Sequence, residues 1–387
     1  MRIAVFGGTF NPIHIGHINV IKCVLKELKP DKLILMPTHI PPHKNAHDLA
    51  SDEHRLEMCR LAAAEFSGVF VDDYELKSEG RSYTVATMEH LREVYPSDEL
   101  YFVMGSDMTK TFLSWYQPKR ITELCELVCL SRSDEDSEVI SKYVDDIRAI
   151  GAKCYLLSCD PVEISSTKIR ADIIAYGKSF GMLLSSVEEY IIKNKLYNFD
   201  KTKYNKYVDY LRADLSEKRF IHSMNVADEA LRLAVLNDCD RSNAYFAGLV
   251  HDICKEIPIE EQLELVKRSK LPVTDVELKA PKTYHAIAAA VYLNEAFGVT
   301  NEQVLSAVRY HTVAKGGMTV LEKIVYMADL ISMERDYKDV DEIRRCTHAD
   351  INLGMKQAMI FTVKDSVKKC RPIPHITLDC YNEFIGL

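Results

Sequence analysis

The sequence contains no hydrophobic run long enough to cross a membrane without charged residues. Its first ten residues, MRIAVFGGTF, carry one positive charge and a short apolar run that glycines interrupt, so we expect no signal peptide there. An excess of positive charge is also absent, because the formal net charge is -8, and this argues against binding to a long nucleic acid. We therefore expect no membrane and no nucleic-acid partner, although a local basic site can still bind small phosphorylated ligands.

Closely spaced cysteine pairs are absent as well. The eleven cysteines are an odd number and are scattered without a CxxC pair, and a chain of this length does not need disulfide bonds to fold. We expect buried thiols in a reducing cytoplasm, and we assign none of them to catalysis. The sequence is compatible with a homo-oligomer.

The length of 387 residues, with 47% hydrophobic and 27% charged residues, predicts two globular domains. In the first half, short apolar runs alternate with helical stretches, which predicts a parallel sheet with helices on both faces. The predicted strands are RIAVFG, KLILMP, VFVDDYEL, LYFVMG, ELVCLS and AKCYLLS, and VEEYIIKNKLY is the closing helix. We expect the first domain at residues 1–197, a linker at 198–202 and the second domain at 203–387.

Apolar residues in the second half recur at helical spacing, which predicts an all-α helical bundle. Ile221, Met224, Ala227 and Leu231 show this period. Serine is a favourable N-cap, the residue just before the first turn of a helix, and we expect this role for Ser216 and Ser242.

A glycine turn follows the first predicted strand, and two histidines follow the turn. The segment from Gly7 to Pro12 leads to His14, Gly16 and His17 at the start of a helix. A strand, a glycine turn and a helix start present backbone N–H groups to a phosphate, because no Cβ holds the phosphate away. Both histidines can donate hydrogen bonds to the same phosphate.

Three further polar segments follow predicted strands, where open α/β sheets bind ligands. They are residues 41–44 (PPHK), 105–107 (GSD) and 164–170 (ISSTKIR), and we expect the last to precede a helix. Residues 82–84 (SYT) and the only tryptophan, Trp115, complete the set.

The segment GGTFNPIHIGH resembles the HxGH signature of the nucleotidyltransferase superfamily, and the whole set resembles bacterial nicotinate-nucleotide adenylyltransferases over residues 1–197. The resemblance implies a Rossmann-like fold and transfer of AMP from ATP to nicotinate mononucleotide, with Mg²⁺ bound to ATP and no covalent intermediate. The expected catalytic residues are His14, His17, Lys44 and Arg170. Expected nucleotide-binding residues, besides Arg170, are Gly7, Gly8, Thr9, Phe10, Gly105, Asp107, Ser165 and Thr167. Thr84 and Trp115 are expected at the pyridine ring of the acceptor.

Histidines and aspartates in the helical half lie among residues that would otherwise pack a core. They are His222, His251, Asp252, His285, His311 and Asp329. Imidazoles and carboxylates that converge in a helical bundle are ligands of one or two transition-metal ions. The spacing is too wide for a local zinc finger, so the fold must bring these residues together.

The segment LVHDICKE, with His222 before it and Asp329 after it, resembles the H…HD…D signature of the HD superfamily. The order RYHT, GM, LEKIVYMADLI and RD is similar to YqeK-type HD proteins over residues 203–375. This resemblance implies symmetrical hydrolysis of diadenosine tetraphosphate to two ADP at a dinuclear iron or manganese site. Asp252 is expected to bridge both ions, and Lys255 and Arg335 to face the substrate phosphates. Ala286 stands where relatives often have glycine, which leaves the number of metal ions open.

Other functions compete with each half of this interpretation. The first domain could be a nucleotide sensor without turnover, or transfer a nucleotide to another phosphate such as phosphopantetheine. The second could be another HD nucleotidase or phosphodiesterase, or a regulatory nucleotide-binding module. Metal content and product identity distinguish these alternatives.

Overall fold

The computed structural model describes residues 1–39, 49–78, 83–131, 134–159, 162 and 164–386. The chain divides into two compact units, Met1–Ile173 with Gly177–Asn198, and Ile174–Tyr176 with Phe199–Leu387. Among the described residues, no helix is long and apolar enough to cross a membrane.

The first unit contains a parallel sheet and its covering helices. Its strands are β1 Arg2–Gly8, β2 Lys32–Pro37, β3 Val69–Val71, β4 Glu99–Met104, β5 Glu126–Ser131 and β6 Cys154–Ser158. Its helices are α1 Ile15–Glu27, α2 Asp52–Ala63, α3 Tyr74–Lys77, α4 Thr84–Val94, α5 Ser106–Thr111, α6 Pro118–Leu124, α7 Asp134–Ala149, α8 Ser166–Tyr176 and α9 Ser185–Lys193, with a 3₁₀ turn at Phe112–Ser114.

The strands lie in the order β3-β2-β1-β4-β5-β6, and every neighbouring pair is parallel. Alternate residues of β1 enter two different hydrophobic cores: Ala4 and Phe6 pack on one face of the sheet, and Ile3 and Val5 on the other. Burial on both faces explains why the strands appear in the sequence as continuous apolar runs. The expected α/β fold of the first half is therefore confirmed.

Two boundaries in this unit differ from the prediction. The run VFVDDYEL forms a strand only over Val69–Val71, because the side chain of Asp72 accepts a hydrogen bond from Tyr74 N (2.9 Å) and starts α3. The segment ISSTKIR does not precede a helix but forms the first turns of α8. Ser165 caps that helix by accepting a hydrogen bond from Lys168 N (3.2 Å).

The second unit is helical throughout its described residues, as predicted. Its helices are α10 Asn205–Asp214, α11 Glu217–Leu236, α12 Arg241–Val250, α13 Ile259–Lys267, α14 Asp275–Leu278, α15 Tyr284–Phe297, α16 Glu302–Tyr310, α17 Val320–Ile331, α18 Val340–Ala349, α19 Ile351–Lys368 and α20 His375–Ile385, with 3₁₀ turns at Lys201–Tyr204 and Pro281–Thr283.

The caps and the packing of α11 and α12 prepare the site in this unit. Ser216 lies at the N-cap of α11, whereas the prediction for Ser242 is wrong. Asp240 caps α12 instead, through a 2.6 Å hydrogen bond from Asn243 N. At Gly248 the two helices are so close that a Cβ would lie 2.9 Å from Val226 O. A larger residue there would push α12 and the histidine that follows it away from α11.

The cysteines differ from the expectation of unpaired thiols. Cys23 of α1 and Cys159, which follows β6, form a disulfide with an S–S distance of 2.14 Å. The pair is 136 residues apart in the chain, so no local spacing in the sequence could indicate it. Most of the other described cysteines are buried, as expected.

Candidate active sites

The glycine turn of the first unit lies where the strand order of the sheet reverses. β1 pairs with β2 on one side and with β4 on the other, so Gly8, which ends β1, and Gly105, which follows β4, lie at the same end of the sheet. Crossover helices that leave in opposite directions open a crevice at this end, which is where α/β sheets bind nucleotides. Gly105 is the N-cap of α5, and a Cβ on it would meet no atom within 4 Å.

The two histidines of the turn lie together at the start of α1. His14 is the N-cap, and its ring centroid is 3.8 Å from that of His17. A Cβ on Gly16 would be 3.0 Å from the His14 ring, so glycine is what allows this ring to lie against the helix. Burial lowers the pKa of His14 to about 4, which keeps its imidazole neutral at pH 7.

The hydrogen bond made by His17 determines which of its nitrogens carries the proton. His17 Nδ1 accepts from the backbone N–H of His14 at 3.1 Å. In a neutral imidazole the proton is then on Nε2, which becomes a donor. A donor at this end of the sheet suits a phosphate oxygen.

The predicted residues of α8, which come late in the sequence of this unit, lie at the glycine turn. Arg170 donates to the carbonyl oxygen of Asn11 (2.8 Å) and to Thr167 Oγ1 (3.3 Å). Ser166 Oγ donates to Pro12 O (3.4 Å). The fold thus brings Thr167 and Arg170 to the glycine turn, although about 150 residues separate them in sequence.

Arg55 of α2 is a residue of this site that the sequence analysis missed. Its guanidinium is fully buried and donates to Thr9 O (2.7 Å), Ala50 O (3.2 Å) and His39 O (3.1 Å). It also pairs with Asp52. Arg55 therefore ties the glycine turn to the segment that follows β2.

The residues expected at the acceptor ring lie on neighbouring segments. Thr84 is the first residue of α4, and the adjacent Tyr83 has its ring 5.0 Å from that of Tyr116. Trp115, beside Tyr116, packs against Phe102 and Phe112 of the core but is only partly buried. Asp107 lies in the first turn of α5. Lys44 and Ser82 lie outside the described residues.

In the second unit the six predicted ligands come from five helices or their ends. His222 lies in α11, His285 in α15 and Asp329 in α17, whereas His251 and His311 end α12 and α16. Their ligand atoms form three overlapping groups, each within 4.8 Å: His222, His251 and Asp252; His251, His311 and Asp329; and Asp252, His285 and His311.

Asp252 stands between two pairs of histidines. Its Oδ2 lies 3.9 Å from His222 Nε2 and 3.7 Å from His251 Nε2. Its Oδ1 lies 3.4 Å from His285 Nε2 and 3.5 Å from His311 Nε2. One carboxylate therefore faces two groups of ring nitrogens with its two oxygens.

Three of the histidines are oriented by a bond at the other ring nitrogen. Nδ1 of His251 donates to Gly248 O and Nδ1 of His311 donates to Val308 O, both at 2.7 Å. Nδ1 of His222 donates to Glu334 Oε1 at 2.5 Å. Partners of this kind fix the ring and leave Nε2 to bind a metal ion.

Two further observations indicate that the described residues can bind a metal ion. His311 Nε2 and Asp252 Oδ1 are buried without a hydrogen-bond partner among the described residues, and such atoms are costly unless something binds them. Burial alone would raise the pKa of Asp252 and Asp329. Nearby histidines outweigh that effect, and the pKa of both carboxyls falls well below the ordinary value. Both are therefore anionic, as metal ligands must be.

Cationic side chains stand next to this cluster. Lys255 Nζ lies 3.4 Å from Asp252 Oδ1 and 2.8 Å from His285 Nε2. Arg335 pairs with the Asp329 carboxylate and approaches His222 Nε2 at 3.5 Å. Arg219, which the sequence analysis missed together with Glu334, pairs with Asp252 Oδ2 at 3.3 Å. Arg219 precedes His222 by one helical turn, and this spacing was the available signal.

The chain matches two family models, Cytidylyltransferase-like over residues 5–172 and HD domain over residues 219–334. A Mycoplasma genitalium protein named "Probable nicotinate-nucleotide adenylyltransferase/Ap4A hydrolase" is 28% identical over 371 residues, which are 94% of this chain and 97% of that protein. A Shewanella pealeana "Probable nicotinate-nucleotide adenylyltransferase" is 35% identical and spans 52% of this chain and 98% of its own length. A crystal structure of a "predicted HD superfamily hydrolase involved in NAD metabolism" from Clostridium acetobutylicum is 34% identical, with a TM-score of 0.46, over 47% of this chain and 97% of that one.

Proposed function

Through its first half the chain belongs to the family of nicotinate-nucleotide adenylyltransferases, and its second half contains an HD domain, so we propose that it is a bifunctional enzyme. The first domain, residues 1–197, transfers AMP from ATP to nicotinate mononucleotide and releases pyrophosphate. The second domain, residues 203–387, hydrolyses diadenosine tetraphosphate to two ADP. The relative from Mycoplasma genitalium, which aligns over nearly the whole length, carries both activities in its name.

The observation that carries the first activity is the pair of histidines at the point where the strand order reverses. In this reaction an oxygen of the mononucleotide phosphate bonds to the α-phosphorus of ATP, and the bond to the pyrophosphate oxygen breaks. Such catalysis consists of positioning and of stabilising charge on phosphate oxygens. Neutral His14 and the Nε2 donor of His17 serve the α-phosphate, and Arg170 with Thr167 serves the phosphates that leave. Lys44 is proposed to act with them, and Mg²⁺ to accompany ATP.

The acceptor site is proposed between the start of α4 and Trp115. Trp115 is held by its contacts to Phe102 and Phe112 and is only partly buried, which suits stacking on a pyridine ring. The positive end of the α4 dipole and the backbone N–H groups of its first turn favour an anion. This arrangement favours nicotinate, which carries a carboxylate, over nicotinamide.

The observation that carries the second activity is the Asp252 carboxylate between two pairs of imidazoles. Four nitrogen and two carboxylate ligands suit iron or manganese, and we propose a dinuclear site with Asp252 as the bridge. Divalent ions supply polarisation of a phosphate and activation of water at neutral pH. The chain itself orients the ligands through Gly248, Val308 and Glu334, and Lys255 and Arg335 are proposed to contact the phosphates.

Each site provides the control for the other in one experiment. The full-length chain is incubated with diadenosine tetraphosphate and ferrous or manganous ion, and separately with ATP, Mg²⁺ and nicotinate mononucleotide or its amide. We expect ADP as the only product of the first reaction and deamido-NAD from the second. Asp252→Ala should abolish only the hydrolysis and His17→Ala only the transfer. AMP with ATP as products would refute symmetrical cleavage, and absence of metal-dependent turnover would indicate another nucleotide substrate or a regulatory module.

A further inference from the structure

Three cationic side chains surround the buried ligands of the second unit at their solvent side. Arg219 and Arg335 are each 36% exposed and Lys255 is 28% exposed, whereas Asp252 is 3% exposed. A ligand that enters from solvent therefore meets these cations before it reaches the histidines. They come from three separate segments, α11, the turn after α12 and the segment after α17.

The cations lie on opposite sides of the centre. Arg219 contacts Asp252 Oδ2, the oxygen that faces His222 and His251. Arg335 lies on the same side, 3.5 Å from His222 Nε2. Lys255 contacts Asp252 Oδ1, the oxygen that faces His285 and His311. Positive charge is thus available on both sides of the proposed bridge.

Arg219 is held in place rather than projecting from a mobile surface. Ser216, at the N-cap of α11, donates from its backbone N–H and its hydroxyl to Glu256 at 2.6 and 2.7 Å. Glu256 follows Asp252 and Lys255 in the chain. This link fixes the first turn of α11, which carries Arg219, over the segment that carries Asp252.

The three cations share two carboxylates at the centre. Arg219 and Lys255 contact Asp252, and Arg335 contacts Asp329, whereas Glu334 contacts the outer nitrogen of His222. Each bound divalent ion adds two positive charges. A centre with excess positive charge and cations on both sides is complementary to an extended chain of phosphates.

We propose that Arg219 is a phosphate-binding residue, and that the cations on both sides select an internal phosphoanhydride bond over an isolated phosphate ester. This inference rests on the proposed function and specifies its substrate class: a linear polyphosphate with phosphates on both sides of the cleaved bond. In that hydrolysis the water oxygen bonds to one phosphorus and the P–O bond to the bridging oxygen breaks. The bridging oxygen leaves with the other phosphate, and the two water protons pass to the new phosphate groups or to solvent.

The test compares Arg219→Gln with Lys218→Gln, which removes the same charge from the adjacent exposed residue. Two substrates are used at equal metal loading: diadenosine tetraphosphate, and bis(4-nitrophenyl) phosphate, which has a single phosphate. The quantity compared is kcat/KM for diadenosine tetraphosphate divided by kcat/KM for bis(4-nitrophenyl) phosphate. Loss of a charge-assisted hydrogen bond should lower this ratio by about 10- to 100-fold in Arg219→Gln. Lys218→Gln should leave the ratio unchanged.

Binding provides a readout that does not depend on turnover. The affinity for inorganic tripolyphosphate, measured by calorimetry, should fall in Arg219→Gln while the metal content equals that of the wild type. An equal loss on both substrates, or a loss of metal, would overturn the proposal, because Arg219 would then act through Asp252. An unchanged ratio would also overturn it, since Arg219 would form only an ion pair.

A second variant keeps the test valid if Arg219→Gln does not fold. Arg219→Lys retains the charge but not the planar guanidinium fork, and we expect a decrease of about several-fold in the same ratio. No decrease would contradict phosphate binding by the fork. If the wild type cleaves the single-phosphate ester but not diadenosine tetraphosphate, the proposed function fails, while tripolyphosphate binding still tests the role of Arg219.

Discussion

Replacement of Glu334 by glutamine should weaken metal binding to the second unit. Glu334 Oε1 accepts the Nδ1 proton of His222 at 2.5 Å and is itself held by Ser332 Oγ at 2.8 Å. Its other oxygen accepts from Asn225 Nδ2 at 2.7 Å. The carboxylate therefore fixes the His222 ring and its proton, so that Nε2 remains the ligand atom. A glutamine side chain can accept hydrogen bonds only through its one oxygen. Its NH₂ group would then face the NH₂ group of Asn225, and two donors cannot form a hydrogen bond.

The expected magnitude follows from what such partners contribute elsewhere. Removing the partner of a metal-bound histidine typically lowers metal affinity by about 10- to 100-fold, or about 1.4 to 2.7 kcal/mol. Because the neutral glutamine still accepts one bond, Glu334→Gln should lie near the lower limit. Glu334→Ala, which leaves Nδ1 without this partner, should lie near the upper limit.

The assay is a titration of the metal-free protein with Mn²⁺ against a competing chelator. The matched control is Glu342→Gln, which removes the same charge from an exposed residue of α18 that pairs with Arg345. An affinity within about twofold of the wild type for Glu334→Ala, or an equal decrease in the control, would refute the argument that Glu334 orients His222.

Two other predictions concern the glycine turn of the first unit. Gly16→Ala should lower the rate of adenylyl transfer by about 10- to 100-fold, because the new Cβ would lie 3.0 Å from the His14 ring and displace it. Hydrolysis of diadenosine tetraphosphate by the same sample is the internal control. An unchanged rate of transfer would contradict the prediction. Unfolding of this unit should depend on pH through His14, because burial lowers its pKa from the ordinary value of 6.5 to about 4. The unfolded state then binds more protons between these values, so lowering the pH from 7 to 5 should reduce the free energy of unfolding by about 2 kcal/mol. The free energy of unfolding can be measured by denaturant titration, followed by the fluorescence of Trp115, the only tryptophan. Its decrease between pH 7 and pH 5 should be smaller in His14→Asn than in the wild type. An equal decrease would mean that other groups cause the pH dependence.

The fold class was predictable because hydrophobic periodicity determines which elements form. The apolar runs of β1, β2, β4 and β5 are buried on both faces, and each run therefore indicated its strand directly. The helix starts at Asp72 and Asp240 were not predicted, because their cause is local. Each side chain accepts a hydrogen bond from a backbone N–H and thereby starts a helix. Several residues near a boundary can do this, and the sequence alone does not select among them.

The ligands of the second unit could be proposed because histidine and aspartate are rare among core residues. Arg55 and Glu334 could not, since charged residues are usually exposed and these two resemble all the others in sequence. Their roles depend on contacts between distant segments: Arg55 reaches Thr9, and Glu334 reaches His222, which lies 112 residues earlier. The Cys23–Cys159 disulfide was missed for the same reason.

The position of β1 in the middle of the sheet also affects how the chain folds during synthesis. β1 can pair with β2 as soon as residue 37 has been made, but its other edge waits for β4, which begins at Glu99. At about 5–20 residues per second, the ribosome needs roughly 3 to 12 s for the intervening 60 or so residues. During this interval the nascent chain presents an unpaired apolar strand edge, the kind of surface that promotes aggregation. The lateral edge of β1 that later pairs with β4 is therefore the surface that a chaperone would need to protect.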